Sequence, residues 1–199
     1  MTYPNWNKRY SDEEYVYGTE PNSFLVEYSD MLSNPVLSIA EGEGRNAVFL
    51  ASRGRTVYAV DGSDVGLAKA QALASKKGVT IQTEVADLLQ FEPEENTYGS
   101  IISIFAHLPS AIRKRLYPML EHSLRKGGIL LLEAYSEEQL RYGTGGPSDL
   151  DMLMTQSKIR QEFPNCEPIL LRKIERDVCE GKFHTGVASV IQFIGRKTM

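Results

Sequence analysis

Val36-Leu37-Ser38-Ile39-Ala40-Glu41-Gly42-Glu43-Gly44-Arg45-Asn46 is the stretch on which the reading of this chain turns. From Pro35 to Ala40 the residues are too few and too apolar for a surface helix, so they read as a buried strand. Glu41 to Gly44 end it in an acidic, glycine-rich turn. From Arg45 to Arg53 the apolar residues Ala47, Val48, Leu50 and Ala51 fall at helical spacing, and Gly54 stops the helix as a C-terminal cap. A buried strand, a tight glycine turn and a helix are the opening of a βα unit.

Downstream the pattern repeats. Arg55–Val60 is a second strand closed by Asp61-Gly62-Ser63, and Asp64–Lys77 is rich in strong helix formers. Val79–Val85 alternates as a third strand and delivers Asp87. Ser100–Phe105 is a fourth, followed by a helix from Pro109 to Leu124 and a fifth strand from Gly128 to Ala134. Helices of this length between strands imply right-handed crossovers and a parallel sheet covered on both faces. The last third differs. Ile169–Cys179 and His184–Ile194 read as long strands joined by the turn Glu180-Gly181-Lys182, and so short a link makes them antiparallel. Upstream, Asn22–Leu32 reads as one helix with an apolar stripe from Phe24, Leu25, Tyr28, Met31 and Leu32. The predicted fold class is therefore α/β: a Rossmann-like, seven-stranded, mostly parallel sheet with an antiparallel C-terminal hairpin and helices on both faces.

The whole composition suits one such domain. With 199 residues, 42% hydrophobic and 24% charged, the chain can bury an ordinary core without metal or disulfide. A net charge of −4 argues against nucleic acid as the main partner, and the run Arg113-Lys114-Arg115 reads as a solvated helix face. Two cysteines, Cys166 and Cys179, show no metal-ligand spacing and fit a reduced, cytoplasmic setting. The polar N-terminus has no signal-peptide form, and no apolar run is long enough to cross a membrane. Oligomeric state is not readable, and no metal site is expected.

In an open parallel sheet, ligands bind beyond the carboxyl ends of the strands, where strand order reverses. The first strand brings Glu41, Gly42, Gly44 and Asn46 to that edge. Glycines let backbone pass close to a ligand, and the helix begins with exposed amides. A carboxylate at position 41 repels a pyrophosphate but can pair with an ammonium. The second strand brings Asp61, with Gly62 and Ser63, and an acid there can accept both hydroxyls of a ribose. Its alternative reading is the cap of the next helix, a task that Ser63 or Asp64 can perform. The third brings Asp87 and Leu88, able to meet an exocyclic amine and the face of an adenine. The fourth brings Phe105 and His107. Together they describe an adenosine with an amino-acid end.

On these motifs the chain resembles the class I S-adenosylmethionine-dependent methyltransferases. It is most similar there to the small enzymes typified by the tellurite-resistance methyltransferase and its thiopurine-methyltransferase-like relatives. VLSIAEGEGRN corresponds to the family's first motif, VYAVDGS to the second with Asp61 as the ribose acid, and VADLLQF to the third with Asp87 as the adenine acid. LRKGGILLLEAY corresponds to the turn and strand after the fourth helix. Trp6 to Tyr10, with Tyr17-Gly18 and Pro21-Asn22, resembles the segment lying over the donor site. The resemblance implies S-adenosylmethionine as methyl donor and one domain over 1–199. Within it, 1–34 is an N-terminal lid segment and helix, 35–135 the donor-binding core, and 136–199 an acceptor-side loop, helix and hairpin. It also implies a small-molecule methyl acceptor, with His184 as the leading acceptor-facing residue and His107 as the second. Trp6, Tyr10, Tyr17 and Tyr135 are expected to shape the acceptor pocket, and Tyr142 to Pro147 to form a mobile loop beside it. Two departures stand out: Glu43 occupies the gap where the first motif usually has glycine or cysteine, and Tyr98-Gly99-Ser100 lacks the usual acid.

Two rival readings follow from the same residues. Gly42-x-Gly44-x-x-Ala47 satisfies the dinucleotide fingerprint, which admits an NAD(P)-dependent oxidoreductase. A non-catalytic donor-binding protein of the same fold is the other, since fold does not establish turnover.

Overall fold

The computed structural model describes residues 5–198; residues 1–4 of the N-terminal segment and Met199 lie outside the described residues. Seven strands form one sheet in the order β3-β2-β1-β4-β5-β7-β6. β1 (Val36–Ile39), β2 (Val57–Asp61), β3 (Gln82–Val85), β4 (Tyr98–Ile104) and β5 (Leu124–Tyr135) are parallel, whereas β7 (Thr185–Lys197) runs antiparallel between β5 and β6 (Cys166–Cys179). Strand order reverses at β1, between β2 and β4, as the alternation of strands and helices predicts.

Alternate residues of each strand serve opposite faces. Val36, Val57, Ala59, Ile102 and Leu131 enter one apolar cluster with α3 (Arg45–Ser52) and α4 (Asp64–Lys76). Leu37, Ile39, Val60, Ile101, Leu130 and Leu132 enter the other with α5 (Ser110–Ser123) and α6 (Gln156–Glu162). Strands buried on both sides carry near-continuous apolar runs, which is what made them legible. β6 is the edge strand; it carries the half-buried Arg172 and the exposed Lys173, Glu175 and Asp177, charges that discourage further pairing.

Three local readings need correction. The predicted helix Asn22–Leu32 is α2 (Ser23–Tyr28) followed by a 3₁₀ turn at Ser29–Met31, with Asn22 as cap accepting from the Leu25 amide at 3.0 Å. The run Arg113-Lys114-Arg115 is a solvated face only in part: Lys114 is exposed and Arg115 half-buried, but Arg113 turns inward. Arg113 is 2% exposed; its Nε donates to Glu162 at 3.0 Å and its Nη1 to the Asp151 carbonyl at 2.6 Å. The loop after β5 is fastened rather than free. Gln139 donates to the Gly145 carbonyl at 3.1 Å, and Thr144 donates to the Val187 carbonyl at 2.7 Å.

Candidate functional site

The ends of β1, β2 and β4 open into two adjoining cavities. The larger, about 760 Å³, is lined at one end by Asp61, Gly62, Asp87 and Leu88, and at the other by His107, Ile112, Met152 and His184. The smaller, about 70 Å³, lies beneath the N-terminal segment and is lined by Glu41, Gly42, Arg45, Asn46 and Phe105 among others. His107, His184, Trp6 and Tyr17 border both. The sequence-predicted positions therefore converge on one place, but not all of them face it.

Asp61 is 6% exposed and borders the large cavity. It also holds its own turn, accepting from the Gly42 amide and the Ser63 amide, each at 2.8 Å. Burial raises its pKa, and those amides oppose the shift. Ser63 borders neither cavity: its hydroxyl caps α4 by accepting from the Gly66 amide at 3.0 Å and donates to Asn7 at 2.6 Å. That leaves Asp61 as the acid facing the ligand edge. Asp87, exposed beside Leu88, accepts from the Leu89 amide at 2.9 Å and lines the large cavity.

The first motif is built differently from its reading. Glu41 is engaged within the fold: one carboxylate oxygen accepts from the Asn46 and Ala47 amides at 3.1 and 2.9 Å, and the other takes the Ser38 hydroxyl. It is thus the cap of α3, filling the amides that were expected to stay open. Burial raises its pKa, with the Ser38 hydroxyl opposing. Gly44 borders neither cavity. Its φ is +93°, and a Cβ there would lie 2.5 Å from the Ala70 Cβ, so glycine serves the packing of α3 on α4. Gly42 has φ +65°, and a Cβ there would meet the Tyr10 hydroxyl at 2.7 Å. The Asn46 side chain accepts from the Asn22 amide at 3.0 Å and so anchors the N-terminal segment.

Glu43, which sequence reasoning left as a gap-filler, is a fastener. Its Oε2 accepts from the Val16 amide at 2.8 Å and the Tyr17 amide at 3.3 Å, and its Oε1 pairs with Lys69 at 2.5 Å. Lys69 in turn donates to the carbonyls of Asp12 and Glu14 at 2.9 and 2.7 Å. The segment over the site is held by charge buried beneath it.

At the far end, aromatic rings surround the two histidines. Tyr135 stacks on His107 at 5.2 Å and packs tilted against Phe105 at 4.6 Å, while His184 lies 4.7 Å from Tyr17 and 5.0 Å from Phe105, ring centre to ring centre. Phe105 and His107 have φ of +51° and +39°, a left-handed backbone typical of functional strand ends. Both His107 nitrogens, the Tyr135 hydroxyl and His184 Nδ1 are buried without a partner. Burial lowers the pKa of His107 to about 3, aided by His184; burial lowers that of His184 to about 3, aided by Arg45, Arg9 and Arg176. At neutral pH both rings are uncharged and are poor bases. They can give or receive a hydrogen bond to a bound molecule and so orient it.

Residues 36–128 match the family model described as a methyltransferase domain. A 2-heptyl-1-hydroxyquinolin-4(1H)-one methyltransferase of Mycobacteroides abscessus is 25% identical over 115 residues, covering 56% of this chain and 51% of that protein. The chain thus spans about half the length of the curated relative it matches. Among solved structures, one from work on the conversion of a disulfide bond into a thioacetal group during echinomycin biosynthesis superposes with a TM-score of 0.78. It is 17% identical, covering 97% of this chain and 91% of that one. TehB from Haemophilus influenzae follows with a TM-score of 0.73 at 16% identity, over 89% of this chain and 62% of that one. These two likenesses show the fold. Among the described residues no helix is long and apolar enough to cross a membrane.

Proposed function

We propose that this chain is a class I methyltransferase that takes its methyl group from S-adenosylmethionine and transfers it to a small, largely apolar acceptor; the match of residues 36–128 to a methyltransferase-domain model supports the reading. The reading takes the protein as one cytoplasmic domain; its two cysteines are both unpaired. The observation that carries it is one continuous cavity that joins the Asp61 and Asp87 end to the His107 and His184 end.

The residues fit the donor. Asp61 is positioned for the two ribose hydroxyls, Asp87 for the adenine amine, and Leu88 for the face of the ring. Gly42, at φ +65° and covered by Tyr10, lines the small cavity, which suits an amino-acid end. When bound, the donor supplies a methyl group activated by its own sulfonium. What the chain adds is alignment and exclusion of water. Trp6, Tyr17, Leu108, Ile112, Met152 and Phe183 give the acceptor an apolar bed. His184 and His107, uncharged and unpartnered, hold its reacting atom by hydrogen bonds, with Tyr135 as a third donor. A flat aromatic hydroxyl compound fits this lining, and the curated relative is named for one.

The test is calorimetric titration with S-adenosylmethionine, S-adenosylhomocysteine and NAD(H), followed by turnover on a panel of hydroxyquinolones and phenols. Micromolar binding of the first two, none of the third, and methylation of a panel member is the expected result. NAD(H) binding alone replaces this reading with an oxidoreductase. Donor binding without turnover on any acceptor leaves a donor-binding protein.

A further inference from the structure

Arg9, in the short helix Trp6–Tyr10, is exposed yet held on three sides. Its guanidinium lies over the Trp6 ring at 5.4 Å and the Phe183 ring at 4.8 Å, and its Nη1 donates to the Tyr17 hydroxyl at 2.9 Å. Among the described residues no carboxylate lies within ion-pair distance of it. Fixing so flexible a side chain costs rotamer entropy, and no counter-ion in the fold offsets that cost. A cation organised in advance at the mouth of a cavity is suited to an anion on the ligand.

The charges around it single out the acceptor end. Among the described residues lining the large cavity, Arg9 is the one permanent cation, while both carboxylates, Asp61 and Asp87, stand at the donor end. Arg9 and Phe183 also line an outer groove of about 580 Å³, together with Lys8 and Lys182. Lys182 lies over the same Phe183 ring at 5.8 Å, so two cations share one ring. Asp12 and Glu14 line the groove too, but neither is paired with Arg9, Lys8 or Lys182. In a chain of net charge −4 this is a local positive field. His184 feels it: after burial, Arg45, Arg9 and Arg176 are what lower its pKa. Of those three, Arg45 is paired with Glu180 and Arg176 with Glu133, whereas Arg9 has no such partner.

We infer that the acceptor is an acid: an aromatic hydroxyl compound whose carboxylate binds Arg9, the residue that selects it. The inference rests on the acceptor reading above and narrows it to anionic aromatic compounds. Tyr17 sets the length. Its ring centre lies 4.7 Å from that of His184, and its hydroxyl meets Arg9. A ligand lying beside Tyr17 with its own hydroxyl at His184 therefore brings a group one ring away to the guanidinium. The guanidinium fork matches a carboxylate through two parallel hydrogen bonds.

The experiment uses Trp6, the one tryptophan of the chain and a ring against Arg9, as reporter. Its fluorescence is titrated with para-hydroxyphenylacetate and, in parallel, with para-hydroxyphenylacetamide, S-adenosylhomocysteine being present throughout. The amide keeps the ring, the hydroxyl and the shape without the charge. The unaltered protein binds the acid about three- to tenfold more tightly, between the worth of an exposed ion pair and that of a charged hydrogen bond. Raising the ionic strength from about 0.1 to 1 M shrinks that preference, because the screening length falls from roughly 10 to 3 Å. Arg9→Gln abolishes the preference and leaves amide affinity within about threefold of the original; Arg9→Lys retains part of it. Equal affinities for acid and amide in the unaltered protein, or binding of neither, overturn the carboxylate site. Equal losses for both ligands in Arg9→Gln mean that Arg9 only holds the covering segment. A preference for the acid without its methylation by S-adenosylmethionine is a different failure, that of the methyl-transfer reading.

Discussion

Individual residues near this site serve the fold and the ligand together, and the two demands can be separated. Gly44 satisfies a fingerprint for close ligand approach, yet it is the Ala70 Cβ that excludes a side chain there. The dinucleotide fingerprint is met literally by a residue with no access to the ligand edge, which weakens the oxidoreductase reading. His184 shows the reverse: nothing in the fold bonds its Nδ1, and burial with three nearby arginines keeps the ring neutral. Its folded pKa is about 3, below the roughly 6.5 of an exposed histidine, so between those values the unfolded chain binds a proton that the folded chain does not. The histidine therefore costs stability as pH falls below about 6.5. Relative to His184→Asn, the unaltered protein should lose about 1.4 kcal/mol between pH 7.5 and 5.5, measured by denaturant unfolding at each pH. Parallel pH curves for the two proteins would mean that the ring is not held neutral. Taking the difference against the variant matters, because the raised pKa values of Glu41 and Asp61 act with the opposite sign.

At the scale of elements, the sheet was legible and the cover over it was not. Strands announced themselves by β-branched runs such as Val57–Val60, and helices by residues such as those of Leu67–Ala74, because burial on both faces leaves few polar residues in the pattern. The order of elements then fixed which ends meet. By contrast, the helix α1 (Trp6–Tyr10) is only five residues long and carries no periodicity to read. What positions it is tertiary: Asn7 donates to Asp64 at 2.7 Å, Tyr10 covers Gly42, and Glu43 fastens Val16 and Tyr17. The departure from the first motif at Glu43 was visible in the sequence, but its partners lie 27 and 26 residues upstream and could not be assigned. Glu43→Ala should free the covering segment while leaving the sheet intact. Losing hydrogen bonds to a charged acceptor, about 1.5–3 kcal/mol, should speed amide exchange at Val16 and Tyr17 roughly ten- to hundredfold. Unchanged exchange at those amides would assign the fastening to Lys69 and the carbonyls it binds.

Across the whole molecule, one buried polar cluster joins parts that sequence order keeps apart. Glu133 on β5 is fully buried; it accepts from Asn22 at 2.6 Å, from Gln192 at 2.7 Å, and from both ends of the Arg176 guanidinium at 2.9 and 2.6 Å. Arg176 and Asn22 also reach Glu180, at 3.1 and 2.8 Å, and Glu180 holds Arg45. The N-terminal segment, the first motif, the central sheet and the C-terminal hairpin therefore meet at a set of paired charges. None of this was readable, since each residue alone resembles a surface charge and only the folded topology places them together. A buried pair adds little over an apolar replacement, but removing one partner strands the others without water. Glu133→Gln should accordingly cost about 3–5 kcal/mol, which at roughly 2–4 °C per kcal/mol for a chain of this size is a readily measured fall in Tm. The double variant Glu133→Gln with Arg176→Gln should cost less than the two single costs added, because the second change removes a charge the first left unpaired. Additive losses would mean that the two groups do not share a site. A small loss for Glu133→Gln alone, under about 1 kcal/mol, would mean that water reaches the cluster and that the hairpin is joined to the core by packing instead.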